Sequence, residues 1–373
     1  MRVVMVTDSF KPKIGGIESV VCDLARTLAG RGYEVYVVTS SKTIRGVYVY
    51  EDGAGYITIR IRSRVLNYNG VTFNPSTGIA LYKLLKTLEP DIVHGHGMYS
   101  TLSITSSLLS SKVIKTPSLL TAHSFIGRDT PKYVVKGLEM IARRADMVTA
   151  VSKAVALDLV RRLKLRRVTV TYNCLIVDEW HRREDEALEL EGDPVVSSVI
   201  RFTHRKNPIA LVRVAEALAR EAPKAKLYIV GDGPLRRPIE SRVKARGLRN
   251  VVFLGALSRS DVRRLLWTSH VFVLPSKLEA FGISALEAMA SRVPVVAFRS
   301  GGIPEVVVDG VTGLLAGSDE ELPRLVVELS QDQGLARRLG LNAEARARSF
   351  DCSIIANRYI QAYRMLLGER CSC

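Results

Sequence analysis

Two acids, Glu279 and Glu287, stand eight positions apart in the run KLEAFGISALEAMA at 277–290. The apolar stretch VFVLPS before it reads as a buried strand, so Glu279 falls in the turn at the strand's carboxyl end. A helix is expected to begin near Gly282. Its first amides, from Phe281 to Ser284, then lack intrahelical partners and carry the positive end of the helix dipole, which suits a phosphate or sugar hydroxyls. Gly282 lets a ligand approach the backbone. A carboxylate beside such a site accepts hydroxyl hydrogens from a ribose or hexose. The same segment also reads as two solvated glutamates at a helix start. Basic groups complement an anion, and IRFTHRKN at 200–207 supplies them. Arg201 ends a strand and Lys206 precedes a helix. Together they can neutralise a leaving diphosphate, a role filled elsewhere by a metal ion. Arg205 reads as a solvated surface residue.

Other candidates sit at comparable turns. Gly15-Gly16 in FKPKIGGIES precedes a helical stretch and supplies flexible backbone, without a G-x-G-x-x-G fingerprint. GDGPLRR places Gly231 and Gly233 in a turn but has Arg236 where a third glycine would stand. It reads equally as a nucleotide-side turn or a plain tight turn. His123 ends the strand SLLTAH and is expected to face a ligand. The HGHG tract at 94–97 has no clear third metal ligand, so His94 and His96 are expected to pack in a loop near the acceptor side. No Asp-x-Asp occurs, which disfavours a metal–diphosphate clamp. No metal site or cofactor is expected.

These residues need a scaffold that brings strand ends together. The chain has 373 residues, 47% of them apolar, enough for two cores. Val/Ile-rich strands alternate with amphipathic segments at 2–7, 34–39, 56–61, 91–96, 118–123, 146–151 and 167–172. The pattern restarts after the polar run 178–193, at 194–200, 226–230, 251–255, 271–275 and 294–298. That repetition predicts α/β architecture with two doubly wound, Rossmann-like domains. Ligands are then expected beyond the carboxyl ends of the strands, in a cleft between facing domains. The expected boundaries are 1–177 for an acceptor-side domain and 178–350 for a donor-side domain. No apolar run reaches the ~18 residues of a membrane span, and MRVVMVTDSF reads as a strand and not as a signal peptide. A cytoplasmic protein is expected. Five cysteines show no metal spacing, and Cys371 and Cys373 read as a frayed end. Three glutamines and abundant arginine hint at a thermophile, which leaves a cytosolic disulfide open.

The net charge is +17, and the excess in the first half lies in residues 112–167, with thirteen Lys/Arg against four Asp/Glu. Basic side chains there flank apolar faces, so the span reads either as a dock for an anionic membrane or as a solvated helix face. Nucleic-acid binding is the non-enzyme alternative. Aromatic content of 6% and the absence of a recognition motif argue against it.

The ordered set Gly15-Gly16, His123, Arg201 with Lys206, GDGP, the Glu-x7-Glu pair and GGIPEVVVDGVTGLL resembles the retaining GT-B glycosyltransferases, the large family of glycogen synthases and lipid mannosyltransferases. The resemblance spans nearly the whole chain and implies a nucleotide-diphosphate sugar as donor. It implies that Glu287 binds ribose, and that Ala280, Phe281, Gly282 and Ile283 bind sugar and diphosphate, with Leu257 of LGALSRSDVRRLL also at the donor site. It implies that Arg201 and Lys206 hold the diphosphate, that Gly15-Gly16 admits it, that His123 borders the sugar and that Glu279 positions it. No general base is implied. Within the family, TDSFKPKIGGIESVV, HGHGMYSTLS, TAHSFIG and GGIPEVV are similar to enzymes that place N-acetylglucosamine on phosphatidylinositol. The donors implied are UDP-GlcNAc or GDP-mannose, the acceptor a lipid or polyol such as an inositol phospholipid, and the location peripheral on the inner membrane face. The resemblance also implies that the C-terminal helix, 351–368, joins the first domain. Two departures stand out: Lys206-Asn207 replaces Lys-Gly, and NCLIVDEW replaces an Asn-Gly-Val-Asp linker. A nucleotide-sugar epimerase would need acid/base groups at the sugar ring, and no convincing pair is present.

Overall fold

The computed structural model describes residues 1–13, 15–41, 47–52, 54–62, 66–68, 71–73, 75–127, 129–183 and 185–368. The chain divides into two compact units. One comprises Met1–Cys174 with Cys352–Cys373, the other Leu175–Asp351.

In the first unit, described strands form an eight-stranded sheet in the order Thr169–Val170, Met147–Ala150, Ser118–Ala122, Ile92–His96, Arg2–Thr7, Glu34–Ser41, Tyr56–Arg62, Val47–Asp52. All neighbours run parallel except the last pair, where Val47–Asp52 closes the edge antiparallel to Tyr56–Arg62. The inner strands are rich in buried Val, Ile and Leu because helices cover both faces, with His94, His96, Thr121 and Thr149 among the buried polar exceptions. On one face Val4, Val6, Val38, Ile59 and Val93 pack against Leu81 and Leu85 of the helix Pro75–Leu88. Strand order reverses between Arg2–Thr7 and Ile92–His96.

The second unit carries a six-stranded parallel sheet in the order Val251–Gly255, Lys226–Val230, Val195–Val199, Val271–Leu274, Val295–Phe298, Gly313–Ala316. Its order reverses between Val195–Val199 and Val271–Leu274. The α/β class with two Rossmann-like sheets is as expected. The edge strands Val47–Asp52 and Gly313–Ala316 were not anticipated.

The last helix, Cys352–Leu366, packs within the first unit through Ile355, Ala356, Tyr359, Ile360 and Tyr363. The Arg31 guanidinium, from the turn after the helix Gly16–Ala29, donates to Asn357 Oδ1 at 2.7 Å and to the Ser353 carbonyl at 2.5 Å. Cys174 and Cys352 form a disulfide across a sequence separation of 178. They are the residues at which the chain leaves the first unit and re-enters it. This resolves the question the cysteines left open, and it accounts for a cysteine in NCLIVDEW. Cys22 is a buried free thiol, while Cys371 and Cys373 lie outside the described residues. Among the described residues, no helix is long and apolar enough to cross a membrane.

Candidate active site

Parallel strands deliver their carboxyl ends to one edge, so the loops after Val199, Val230, Gly255, Leu274 and Phe298 share that edge of the second unit. These loops carry Arg201, Gly231 with Gly233, Leu257, Glu279 and Gly301, respectively. Arg201 and Glu279 follow the two strands that flank the reversal of strand order, the place where doubly wound sheets bind ligands.

Lys206 ends the 3-10 turn His204–Lys206. The next residue, Asn207, takes φ 49° and ψ 50°. Asn is among the few non-glycine residues that enter this left-handed region readily, so Asn207 keeps the turn that a Lys-Gly pair would make. The Asn207 side-chain amide also donates to the Pro275 carbonyl at 3.2 Å, tying the turn to the neighbouring strand end. Across the reversal, Lys206 Nζ donates to Glu279 Oε2 at 2.5 Å, with the Glu279 side chain 12% exposed. The two candidates therefore form one ion pair, which their separate readings did not anticipate. Arg201 is exposed, and its guanidinium has no hydrogen-bond or ion-pair partner among the described residues.

Glycines hold this edge by close backbone approach. A Cβ on Gly231 (φ 128°) would stand 1.7 Å from the Ile200 carbonyl oxygen, and one on Gly233 (φ 149°) 2.6 Å from that of Phe202. Phe202 N–H donates to the Asp232 carbonyl and Leu235 N–H to that of Phe202, so the GDGP turn is stitched to the segment bearing Arg201. Gly301 does the same for Glu279: its Cβ would stand 2.1 Å from the Glu279 carbonyl oxygen, which accepts from Gly302 N–H at 2.8 Å. Within GGIPEVV nothing local marks Gly301 for this role, because the backbone it approaches lies 22 residues earlier, at Glu279.

The helix Ile283–Ala290 begins at Gly282, which takes φ 94° and offers no side-chain cap. A Cβ there would also meet Ile303 Cδ1 at 2.6 Å, so both backbone conformation and packing demand glycine. Phe281 is buried and meets Phe350 edge-on, while Ala280 and Ile283 are half-buried. Glu287 lies inside the helix, 8% exposed. Leu257 is half-buried in the loop before the helix Arg259–Thr268.

The remaining candidates belong to the first unit. Gly15 precedes the helix that Gly16 opens. A Cβ on Gly15 would meet the carboxylate of Glu18, a buried acid that sequence reasoning missed. His123 follows its strand as expected but is 7% exposed. Burial lowers its pKa from 6.5 to about 4, so it is neutral. His94 and His96 correct an expectation. They belong to the strand Ile92–His96 and are buried, not part of a loop. Their rings stack 3.9 Å apart, and burial, first, lowers both pKa values. Hydroxyls give His94 polar partners in the interior: Nδ1 meets the Tyr363 hydroxyl and Nε2 the Thr121 hydroxyl, both at 2.7 Å.

Residues 181–346 match the family described as Glycosyl transferases group 1, and residues 14–179 match Glycosyltransferase Family 4. The chain is 33% identical to the alpha-maltose-1-phosphate synthase of Mycolicibacterium smegmatis, over 73% of this chain and 78% of that one. It is 28% identical to a phosphatidylinositol N-acetylglucosaminyltransferase subunit of Homo sapiens over 86% of this chain, and spans 66% of that relative's length. It is equally 28% identical to the N-acetyl-alpha-D-glucosaminyl L-malate synthase of Bacillus anthracis over 96% of both chains. Among solved structures, the sucrose-phosphate synthase of Thermosynechococcus elongatus superposes with a TM-score of 0.84 at 23% identity, covering 99% of this chain and 100% of that one. Anabaena HepE, solved in complex with UDP and glucose, gives 0.78 at 21% identity, covering 96% and 98%. By sequence and by its two Rossmann-like sheets, the chain belongs to the group 1 glycosyltransferases of the GT-B fold.

Proposed function

We propose that this glycosyltransferase moves an N-acetylhexosamine or hexose, with retention and without a metal ion, from a nucleotide-diphosphate sugar to a lipid-linked acceptor such as an inositol phospholipid. The observation that carries the reading is the Lys206–Glu279 pair at the reversal of strand order. A nucleotide sugar is cut where sugar meets phosphate, and this pair offers one partner to each side. Lys206 has three N–H donors and gives one to Glu279, which leaves two for phosphate oxygens. Glu279 accepts with Oε2, which leaves Oε1 for a sugar hydroxyl. Arg201, exposed on the same edge, adds a second fixed cation, and the uncapped amides at Gly282 add dipole charge. Glu287 takes the ribose hydroxyls.

In the reaction, the bond from the anomeric carbon to the β-phosphate oxygen breaks, and the acceptor oxygen bonds to that carbon on the same face. The acceptor's proton passes to the departing phosphate. Fixed cations receive the charge that develops there, in a preorganised setting where such groups are most effective. No protein base is assigned.

UDP-GlcNAc and GDP-mannose are the favoured donors. Two relatives are named for N-acetylglucosaminyl products, and HepE binds UDP in the same fold. A lipid acceptor is supported by the first unit's surface. The helices Lys132–Ala142 and Lys153–Leu163 expose Tyr133, Met140, Leu157 and Val160 beside Lys132, Lys136, Lys153 and Arg161. Apolar side chains among basic ones suit an anionic bilayer, at about 1 kcal/mol per basic residue near the surface. The enzyme would then act peripherally, on the cytoplasmic leaflet.

Thermal-shift screening of uridine-, guanosine- and adenosine-diphosphate sugars tests the donor, because a ligand that binds the folded state raises its stability. Transfer of labelled sugar to phosphatidylinositol vesicles, with and without EDTA, tests acceptor and metal. Stabilisation by UDP-GlcNAc and EDTA-resistant transfer are expected. No transfer from any of the donors would defeat the reading.

A further inference from the structure

The second unit interrupts the first in sequence, and each closes its own gap by different means. The second unit joins its two ends by hydrogen bonds. Leu175 N–H donates to the Phe350 carbonyl at 3.2 Å, Val177 N–H to Asp351 Oδ2 at 3.0 Å, and the Arg348 guanidinium to Asp178 Oδ1 at 3.3 Å. The first unit joins its two segments by a covalent bond, Cys174–Cys352. While the second unit is folded, its own bonds already hold positions 175 and 351 together, and the disulfide has little left to do. Once the second unit unfolds, Cys174 and Cys352 become the ends of a flexible loop, 178 positions apart. Closing such a loop costs entropy, and without the disulfide the last segment must meet that cost by docking alone.

What the bond tethers is part of the first unit's interior. The helix Cys352–Leu366 buries Ile355, Ala356, Tyr359 and Tyr363. The Tyr363 hydroxyl is also the 2.7 Å partner of His94 Nδ1, within the strand Ile92–His96. If the helix leaves, its apolar face and the surface it covers meet water, and a buried histidine loses a polar partner. A helix of 15 residues is marginal by itself in water, so it unfolds when it is released.

We propose that Cys174–Cys352 is a redox-sensitive staple that uncouples the two units. Oxidised, it keeps the last helix on the first unit when the second unit unfolds; reduced, it lets the helix go with the second unit. This holds whether or not the chain transfers sugar. Tethering shifts the docking equilibrium of the helix by a factor on the order of a thousand once the second unit is unfolded.

The co-reactant that opens the staple is a dithiol. One of its thiolates attacks a sulfur of the pair and the S–S bond breaks, and its second sulfur then displaces the mixed disulfide. Two electrons and two protons pass to Cys174 and Cys352, which become thiols, and the dithiol becomes a disulfide. Both cysteines are 1% exposed, so a dithiol must wait for this border to open before it can attack.

Hydrogen-exchange mass spectrometry of the full chain, in rising urea at neutral pH, tests the staple. Both tryptophans lie in the second unit, so their fluorescence marks its unfolding. The oxidised form is identified by a cross-linked peptide carrying Cys174 and Cys352 in an unreduced digest, and the reduced form is made by refolding in dithiothreitol. At the urea concentration where tryptophan fluorescence reports an unfolded second unit, the amides of 352–366 should stay protected in the oxidised protein. They should exchange at least ~100-fold faster in the reduced protein. Cys174→Ser combined with Cys352→Ser should match the reduced form, which separates loss of the bond from other effects of the reductant. No cross-linked peptide in the unreduced protein overturns the proposal. So does loss of protection at 352–366 in the oxidised form at or before the tryptophan transition, or equal protection in both forms. A reduced chain that does not refold overturns it as well, because the hydrogen bonds of a folded second unit should then suffice.

Discussion

Each unit places a helix N-terminus at the point where its strand order reverses, and the two are treated in opposite ways. In the first unit the helix Thr101–Leu109 is filled by the chain itself. Asp8, just past the strand Arg2–Thr7, accepts from the amides of Thr101 at 2.6 Å and Leu102 at 3.0 Å, and Ser100 Oγ caps Ser103 N–H at 3.1 Å. In the second unit the helix Ile283–Ala290 begins at a glycine with no side-chain cap, and a lysine, not an acid, stands across the reversal. One fold position is thus filled by the chain's own acid in one unit and left without a side-chain cap, facing a lysine, in the other; on the proposed function the second is the anion site. An internal carboxylate satisfies the same amides that a phosphate would. Doubly wound topology alone does not say which unit binds the nucleotide; on the proposed function, the charge of the side chains after the first strand, Asp8 in one unit and Lys206 in the other, tells them apart.

The largest expected effect follows from removing the cation of the open site. Lys206→Ala should lower turnover by at least ~100-fold, the scale of losing one preorganised group at developing charge. It also leaves Glu279 without its ion-pair partner. Near-normal turnover in a steady-state assay would end the claim that the second unit's reversal is the reacting edge. Glu287→Ala should weaken nucleotide-sugar binding by about tenfold, since a buried carboxylate that accepts ribose hydroxyls is worth roughly 1.5 kcal/mol. Calorimetric titration checks it, and unchanged affinity would remove Glu287 from the donor site.

The comparison extends to acid stability. His94, His96 and His123 are all depressed by burial in the first unit, and His270, for the same leading cause, in the second. A histidine whose folded pKa lies below its unfolded value binds more protons when unfolded, so its stabilising contribution is present above the unfolded value and is lost as pH falls. For His123 the window runs from 6.5 down to about 4. The first unit should therefore yield first on acidification. Both tryptophans, Trp180 and Trp267, lie in the second unit. Circular dichroism should change before tryptophan fluorescence, and coincident transitions would show that the histidine cluster does not set the order.

Much of this contrast was legible in the sequence, and the illegible part has a common cause. Strands buried on both faces announce themselves as apolar runs, which is why the inner strands stood out. Gly313–Ala316, four residues long with a glycine, did not. Lys206 and Glu279 could each be picked as strand-end residues, but their pairing spans 73 positions and depends on which strands are neighbours. The strand at 91–96 is legible, but the polar partner that lets His94 be buried in it is not, because Tyr363 stands 269 residues away. The disulfide likewise joins residues that only the return of the chain brings together. Local propensity is written locally; the satisfaction of a buried polar group is not.

Asp8 gives the smallest expected effect and the sharpest test of the contrast. Burial raises its pKa against the pull of the Leu102 and Thr101 amides, so its carboxylate is costly to keep there and is retained for the helix it caps. Asp8→Ala removes that cap and should cost about 1 kcal/mol, seen as a fall of a few degrees in Tm. Nucleotide-sugar affinity should stay within about twofold, because on this reading the diphosphate binds the other unit. The opposite assignment makes the opposite prediction. If the diphosphate belonged at Thr101 and Leu102, removing Asp8 would vacate two amides and delete a like charge, and affinity would rise. Tighter binding by Asp8→Ala would therefore exchange the roles of the two helix ends.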